Sequence, residues 1–290
     1  MKAKEIAKAI LPRKLVQFIQ CCRYRGALAH IRYSFKFRRY RERFARANAA
    51  APAWAIVLPA GCNLRVPPGN PATREALEFF GWRDPDAVDE SIGFMKAAAG
   101  KKVLWDIGAL HGFFSLAFTL AREERRALAF EPNPDSRAIL KEFLDCNPGA
   151  KVEVFDCAIG LPAEVVTFQK GFHFIAAAGL ETRPTDEFVQ LETASIDQLI
   201  ERNFEPPDIV KIDVEGHEFE VLRGAEKFLR SHKPLLSLEV HPGPLLHRGV
   251  SPVAIAAYLE EAGYVFRDMR HRPVSRKFFK RIDTFRVLAV

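Results

Sequence analysis

From residue 101 onwards, short apolar runs alternate with amphipathic stretches. Val103 to Ile107, Ala127 to Glu131, "KVEVFDCAI" (151–159), Asp208 to Val214 and "PLLSLEVH" (234–241) have the length and composition of strands, as do "YVFRDM" (264–269) and "TFRVLAV" (284–290). Between them, Gly112 to Glu124, "PDSRAILKEFLDCN" (134–147), "SIDQLIERN" (195–203), Glu218 to Ser231 and "PVAIAAYLEEAG" (252–263) space their apolar residues for helices. Such alternation predicts an α/β fold: a mostly parallel sheet, helices on both faces and right-handed crossovers. Residues 71–100 read as two helices, the second running into "GKK". Residues 51–70 read as short strands and turns ended by Pro67, Pro68 and Gly69. The 161–194 stretch has no clear period. Its Phe168, Phe172, His173 and Phe174 suit either a substrate lid or the core of a small hairpin.

The first fifty residues show a different pattern. Ile6 and Ile10, then Leu15, Phe18 and Ile19, then Leu28, Ile31 and Phe35 keep helical spacing, and basic residues fill the gaps. Fourteen Lys or Arg stand there against Glu5 and Glu42, a local excess of +12 in a chain whose net charge is +7. The remaining 240 residues therefore carry −5. A basic amphipathic arm of this kind fits an anionic membrane surface, and equally fits docking on a partner or packing on the body. Nucleic acid ranks last, because no recognition motif accompanies the charge. Five cysteines, an odd number without metal-like spacing, point to reduced thiols rather than a disulfide framework. No apolar run reaches the roughly 18 residues of a membrane span. The expectation is a cytoplasmic protein, with peripheral contact on the inner membrane face left open.

Ligands in open α/β sheets bind beyond the carboxyl ends of the strands. Those ends read "DIGALHG" (106–112), "FEPNP" (130–134), "FDCAIG" (155–160), "KIDVEGHE" (211–218) and "EVHP" (239–242), and acids recur at all of them. One such acid is ordinary as a cap or turn former, and Asp135 is expected to cap its helix. Five on one rim imply a shared use. Gly108 and Gly112 make G-x-x-x-G rather than the G-x-G-x-x-G of a dinucleotide site, which argues against a nicotinamide-linked oxidoreductase. Asp106 adds negative charge beside that turn, favouring a cationic ligand without phosphates. Glu131, 25 residues further on, stands where an acid accepts ribose hydroxyls. S-adenosylmethionine, an adenosine joined to an amino acid through a positive sulfur, fits this combination.

The segments "VLWDIGALHGFFSLAF", "ALAFEPNPDSRAIL", "IVKIDVEGHEFEVLRGAEKFL" and "PLLSLEVHP" together resemble the FkbM family of S-adenosylmethionine-dependent methyltransferases over roughly residues 100–242. "KIDVEGHEFEVLRGA" is the most family-specific of them. The resemblance implies a class I methyltransferase fold, Rossmann-like, with seven strands in the order 3-2-1-4-5-7-6 and the penultimate strand antiparallel. It implies methyl transfer to an oxygen, with a small-molecule or glycan hydroxyl as acceptor. By the same resemblance Asp106, Gly108 and Gly112 hold the methionine portion, Glu131 the ribose, and Asp156 stands at the adenine contact. The family usually has Asn where this chain has Leu110. That departure keeps open a second reading, an inactive cofactor-binding protein docked through its basic arm. Domains are then expected at 1–60 (the arm), 61–100 (a helical and strand lead-in) and 101–290 (the methyltransferase domain).

A sugar hydroxyl is a weak nucleophile near neutral pH, so a base is expected, worth on the order of 10²–10⁴-fold in rate. Asp213, Glu215 and His241 are the leading candidates, with His217 and Glu239 nearby. Glu218 and Glu220 are expected only to oppose the macrodipole of a first helical turn. Asp213, Glu239 and His241 could furnish ligands for Mg²⁺. No close ligand pattern requires a metal, so catalysis with the cofactor alone is expected.

Overall fold

The computed structural model describes residues 55–58, 63–70, 85–169 and 188–290, together with Ala72 and scattered positions from 39 to 50. The chain divides into two compact units, Met1–Ala50 and Ala51–Val290, and the architecture described lies in the second. The expected basic helices from Ile6 to Phe35, most of the first helix within 71–100, and Phe172, His173 and Phe174 fall outside the described residues.

Strands β1 (Ala55–Val57) and β2 (Asn63–Arg65) pair antiparallel ahead of helix α1 (Pro85–Ala97). Then come β3 (Val103–Ile107), α2 (Phe113–Leu120), β4 (Arg126–Phe130), α3 (Pro134–Cys146) and β5 (Val152–Phe155). After them β6 (Ala158–Ile159), β7 (Val165–Gln169) and β8 (Phe188–Ala194) form a small separate sheet. The chain continues through α4 (Ile196–Glu201), β9 (Ile209–Ile212), α5 (Glu218–Arg223), α6 (Glu226–His232), β10 (Leu235–Val240), α7 (Pro242–His247) and α8 (Pro252–Glu261). It ends with β11 (Phe266–Arg267), β12 (Pro273–Val274), a 3-10 turn at Arg276–Lys280 and β13 (Phe285–Ala289).

The main sheet has the order β12-β11-β13-β10-β9-β3-β4-β5. From β5 inward this is the expected 3-2-1-4-5-7-6. β13 runs antiparallel to both β10 and β11, while the five strands from β10 to β5 are mutually parallel. The sheet has eight strands rather than seven, because the two-residue β12 pairs with β11 at the outer edge. The central strands are buried on both faces, as parallel strands covered by helices must be: β3 and β9 are buried along their whole length, and apart from Asp106 and Lys211 they are apolar. On one face Trp105, Ile212, Leu238 and Phe285 pack against Leu199, Val221, Phe228 and Ile255 of α4, α5, α6 and α8. On the other, Leu104 and Ile209 meet Phe94 of α1 and Phe114 and Phe118 of α2.

Three local expectations are corrected. The helix read as Glu218 to Ser231 breaks into α5 and α6 at Gly224. A Cβ there would stand 2.1 Å from the Gly160 carbonyl oxygen, so the glycine serves chain crossing. The new N-terminus is capped from α4, where Asp197 accepts the N–H groups of Lys227 and Phe228 at 3.0 and 2.9 Å. The strand read as 151–159 leaves the main sheet after Phe155 and resumes as β6 in the small sheet. The cap of α3 is Asn133, which accepts from Asp135 and Ser136, and Asp135 lies in the first turn. Pro134 at the first helical position already has the φ a helix needs, which puts the cap at Asn133, ahead of the expected Asp135.

Candidate active site

The turn after β3 is built from left-handed backbone. Gly108 and Gly112 have φ of 77° and 73°, and between them Leu110 has φ 50°. The N–H groups of Gly108 and Ala109 donate to the Phe130 carbonyl at 3.0 and 3.2 Å, tying the turn to β4. A Cβ on Gly108 would lie 1.9 Å from the Asp213 carbonyl oxygen, so only glycine lets this turn touch the chain leaving β9. Asp106 is buried, and its Oδ2 accepts the Ser115 N–H at 3.1 Å and the Ser115 hydroxyl at 2.7 Å. Burial pushes its carboxyl up to about 6 against those two bonds. Glu131, also buried, accepts the Leu110 N–H on Oε2 at 2.7 Å and the Asn133 N–H on Oε1 at 2.8 Å. Desolvation raises its carboxyl as well. Asp156 is exposed immediately past the end of β5.

The rims of β9 and β10 carry a denser charge network. Lys211, wholly buried in β9, places Nζ 3.1 Å from Glu90 Oε1, 3.2 Å from Asp213 Oδ2 and 3.8 Å from Glu239 Oε2, with the Phe114 ring 4.9 Å away. Arg286 of β13 donates through Nε to Glu90 Oε2 at 2.8 Å, and its Nη2 is 2.5 Å from Glu239 Oε1. Burial would neutralise Lys211, yet the carboxylates of Asp213, Glu90, Glu239 and Asp106 outweigh it and raise its pKa. Asp213 is held below the usual carboxylate range: burial opposes this, but Lys211 and His241 prevail. Glu239 is pushed well above it by burial and by the negative charge of Asp213 and Glu90.

His241 is buried at the end of β10 and bridges this network to the turn before α5. Its Nδ1 lies 2.7 Å from Glu218 Oε1, and its Nε2 lies 3.2 Å from Glu215 Oε2, 3.8 Å from Asp213 Oδ1 and 3.9 Å from Glu239 Oε1. Burial alone would lower its pKa. The bond to Glu218 and the charges of Asp213, Glu218 and Glu215 reverse this and raise it to about 9. Glu215 moves to about 7, raised by burial and held back by His241. The structure thus brings Asp213, Glu215 and His241 into one cluster and sets their titrations far apart. Of these candidates Asp213 and Glu215 are the more open to solvent, with 28% and 30% of their side chains exposed against 7% for His241.

A family model described as "Methyltransferase FkbM domain" matches residues 106–266, more than half of the sequence. The chain belongs to this family. It is also 33% identical over 169 residues to the hexuronic acid methyltransferase AglP of Haloferax volcanii, covering 58% of this chain and 65% of that protein's length. Among solved structures, it is similar to methyltransferase FkbM from Methylobacillus flagellatus KT, at 21% identity over 76% of this chain and 54% of the other, with a TM-score of 0.43. Aeropyrum pernix fibrillarin in complex with S-adenosyl-L-methionine matches at 15% identity, covering 66% of each chain, with a TM-score of 0.36. Neither likeness is close enough to carry an inference about chemistry.

An FkbM methyltransferase uses S-adenosylmethionine, and the residues at the β3 and β4 rims suit it. Each oxygen of Glu131 already accepts one N–H, which leaves a lone pair on each for a pair of ribose hydroxyls. The Gly108 turn presents backbone without side chains at the point where it meets Asp213. Asp106 sits beneath that turn, and its hydrogen bonds fasten α2 to β3. For a metal, the described residues offer one group, Asp213, Glu239 and His241, whose donor atoms lie within 4.8 Å of one another. Lys211 and Arg286 already face its two carboxylates and supply the positive charge an ion would bring. Glu90 and Arg286 could not be read as site residues along the chain, because Glu90 comes from α1, more than one hundred residues before β9, and Arg286 is brought opposite Glu239 only by the antiparallel pairing of β13 with β10. Lys211, in an apolar run, was the one signal that acids would converge on β9.

Proposed function

We propose that this FkbM methyltransferase transfers the methyl group of S-adenosylmethionine to a hydroxyl of a sugar-type acceptor, free or within a glycan or glycolipid. The observation that carries this reading is the contact of Gly108 with Asp213. The turn assigned to the cofactor and the chain bearing the acids touch, so a methyl donor seated on the first lies beside the second. Family membership supports methyl transfer, and the hexuronic acid methyltransferase among the relatives supports a sugar acceptor.

Bound at this rim, S-adenosylmethionine supplies an electrophilic methyl on a positively charged sulfur. The chain's own residues do the remainder. Glu131 and the Gly108 turn hold the adenosine side. Asp213, kept ionised by Lys211 and His241, places a negative charge beside the Gly108 turn, where it would accept a hydrogen bond from the acceptor hydroxyl. Glu215 is the general base: its proton affinity is poised near neutrality, and one of its carboxylate oxygens would take the hydroxyl proton as the acceptor's own oxygen gains the methyl. His241, charged near neutral pH, already carries its proton and has no lone pair free for that task; it serves instead as the positive charge that fixes Glu215, 3.2 Å from its Oε2. A carboxylate acceptor would need no such base, so a base-equipped cleft favours a hydroxyl.

Calorimetry with S-adenosylhomocysteine and transfer of labelled methyl to a panel of sugars and uronic acids test the reading. Binding is expected to be lost or weakened at least tenfold in Glu131→Ala, since each hydrogen bond to a charged group contributes about 1.5–3 kcal/mol. The product should be a methyl ether by NMR. A methyl ester, or normal binding by Glu131→Ala, would overturn it.

A further inference from the structure

Glu218 has the sequence position of a helix-dipole acid, but its surroundings are not those of one. Dipole acids lie at the surface of long helices, whereas α5 has six residues and Glu218 is fully buried. A buried carboxylate is expensive without a charged partner. Glu218 has one on Oε1, His241 Nδ1 at 2.7 Å. Its Oε2 is buried with no hydrogen-bond partner among the described residues. A group placed so unfavourably for stability points to a use beyond it.

The second bond of Glu218 indicates that use. Oε1 also accepts the Gly216 N–H at 2.9 Å. Gly216, with φ 107°, follows Glu215, a non-glycine residue at φ 52°. Left-handed backbone at such a residue persists only where its surroundings impose it. A Cβ on Gly216 would strike Pro244 Cβ at 2.4 Å, so the glycine lets this turn press against α7, which begins directly after His241. Glu218 therefore grips Glu215 twice. It holds the backbone through Gly216 and the side chain through His241, whose other nitrogen meets Glu215 Oε2 at 3.2 Å.

We propose that Glu218 is the positioning residue of the acceptor site, fixing the carboxylate of Glu215 through a buried Glu218–His241–Glu215 bridge. The inference rests on the methyl-transfer reading of the cleft. The groups that face His241 are Glu218 from α5, Glu215 from the turn, Asp213 from the end of β9 and Glu239 from β10. Glu218 is the one that meets Nδ1; the other three lie around Nε2.

The test compares wild type, Glu218→Gln, His241→Gln and the double variant. Glutamine keeps an oxygen for the Gly216 N–H, so the fold should survive with the charge removed. Glu218→Gln should lower kcat on the order of 10²-fold, the scale of a misplaced reacting group, with the acceptor KM within about twofold. In the His241→Gln background the same change should add little, because both act through one bridge. The His241 signal, assigned by its loss in His241→Gln among the eight histidines, should titrate near 9 in wild type and at least about one unit lower in Glu218→Gln. Losses that multiply, an unchanged kcat, or a wild-type His241 titrating at or below its ordinary value would overturn the proposal. Should Glu218→Gln not fold, the wild-type titration decides alone. Titration and S-adenosylhomocysteine binding need no acceptor. A wild type that binds no cofactor sinks the methyl-transfer reading while the bridge remains measurable; transfer unaffected by Glu218→Gln sinks only the bridge.

Discussion

The two halves of the carboxyl rim treat their acids in opposite ways. At β3 and β4, Asp106 and Glu131 are stabilised mainly by neutral donors, the Ser115 hydroxyl and N–H and the N–H groups of Leu110 and Asn133. At β9 and β10, Asp213, Glu239, Glu215 and Glu218 are held by cations, the buried Lys211 and His241 and the half-buried Arg286. Neutral donors fix geometry without cancelling charge, so that half still attracts a cationic ligand. Buried cations set proton affinities, so that half is suited to moving a proton. On the proposed reading, one half binds and the other titrates.

The largest effect should come from removing the shared cation. Lys211→Met leaves Glu90, Asp213 and Glu239 with one buried partner fewer, and a broken buried pair costs about 3–5 kcal/mol in urea unfolding. Ser115→Ala takes one donor from Asp106 and should cost about 1–3 kcal/mol. The reverse order would break the contrast between the halves.

The pH dependence sharpens it further. Glu215 must be ionised to accept a proton, so kcat should rise through about 7. Loss of the His241 proton releases the clamp, so kcat should fall again through about 9. Because these groups interact, the two limbs belong to the cluster rather than to single residues. His241 also ties stability to pH. Its folded value is raised above the ordinary 6.5, so its contribution is complete below 6.5 and is lost as pH climbs through about 9. His241→Gln should flatten that decline in melting temperature. A monotonic rate profile across pH 6–10 would contradict the assignment of base and clamp.

The smallest effect concerns the binding half. Leu110 occupies left-handed backbone, which costs an ordinary residue about 1–2 kcal/mol and which Asn tolerates. Leu110→Asn should therefore stabilise the protein by about 1 kcal/mol in thermal unfolding. Its contact with Glu131 runs through the backbone N–H and survives the change, so cofactor affinity should hold or improve. This gives the expected Asn at that position a conformational reason besides a polar contact.

Much of the fold was legible because its central strands are buried on both faces and so read as mostly apolar runs, broken only by single charged residues such as Asp106 and Lys211; β3, Val103–Ile107, matches its expected bounds. Breaks were illegible where another segment causes them. Gly224 ends α5 because Gly160 crosses there, and nothing in the local sequence announces that crossing. At the site, Asp213, Glu215 and His241 were visible as polar residues at strand ends. Glu218 looked like a helix-end acid until burial and His241 gave it another partner.

Periodicity along the chain made the alternating α/β class and the acidic rim readable, and the missing Cβ did the same for the glycine turns, while the strand order was implied by the resemblance to the FkbM family. Only the tertiary structure decided which acid keeps its charge and which one takes up a proton near neutrality. That division depends on burial and on cations brought from β13 and from the middle of β9, and such distances are set by the packed sheet rather than by any spacing along the chain.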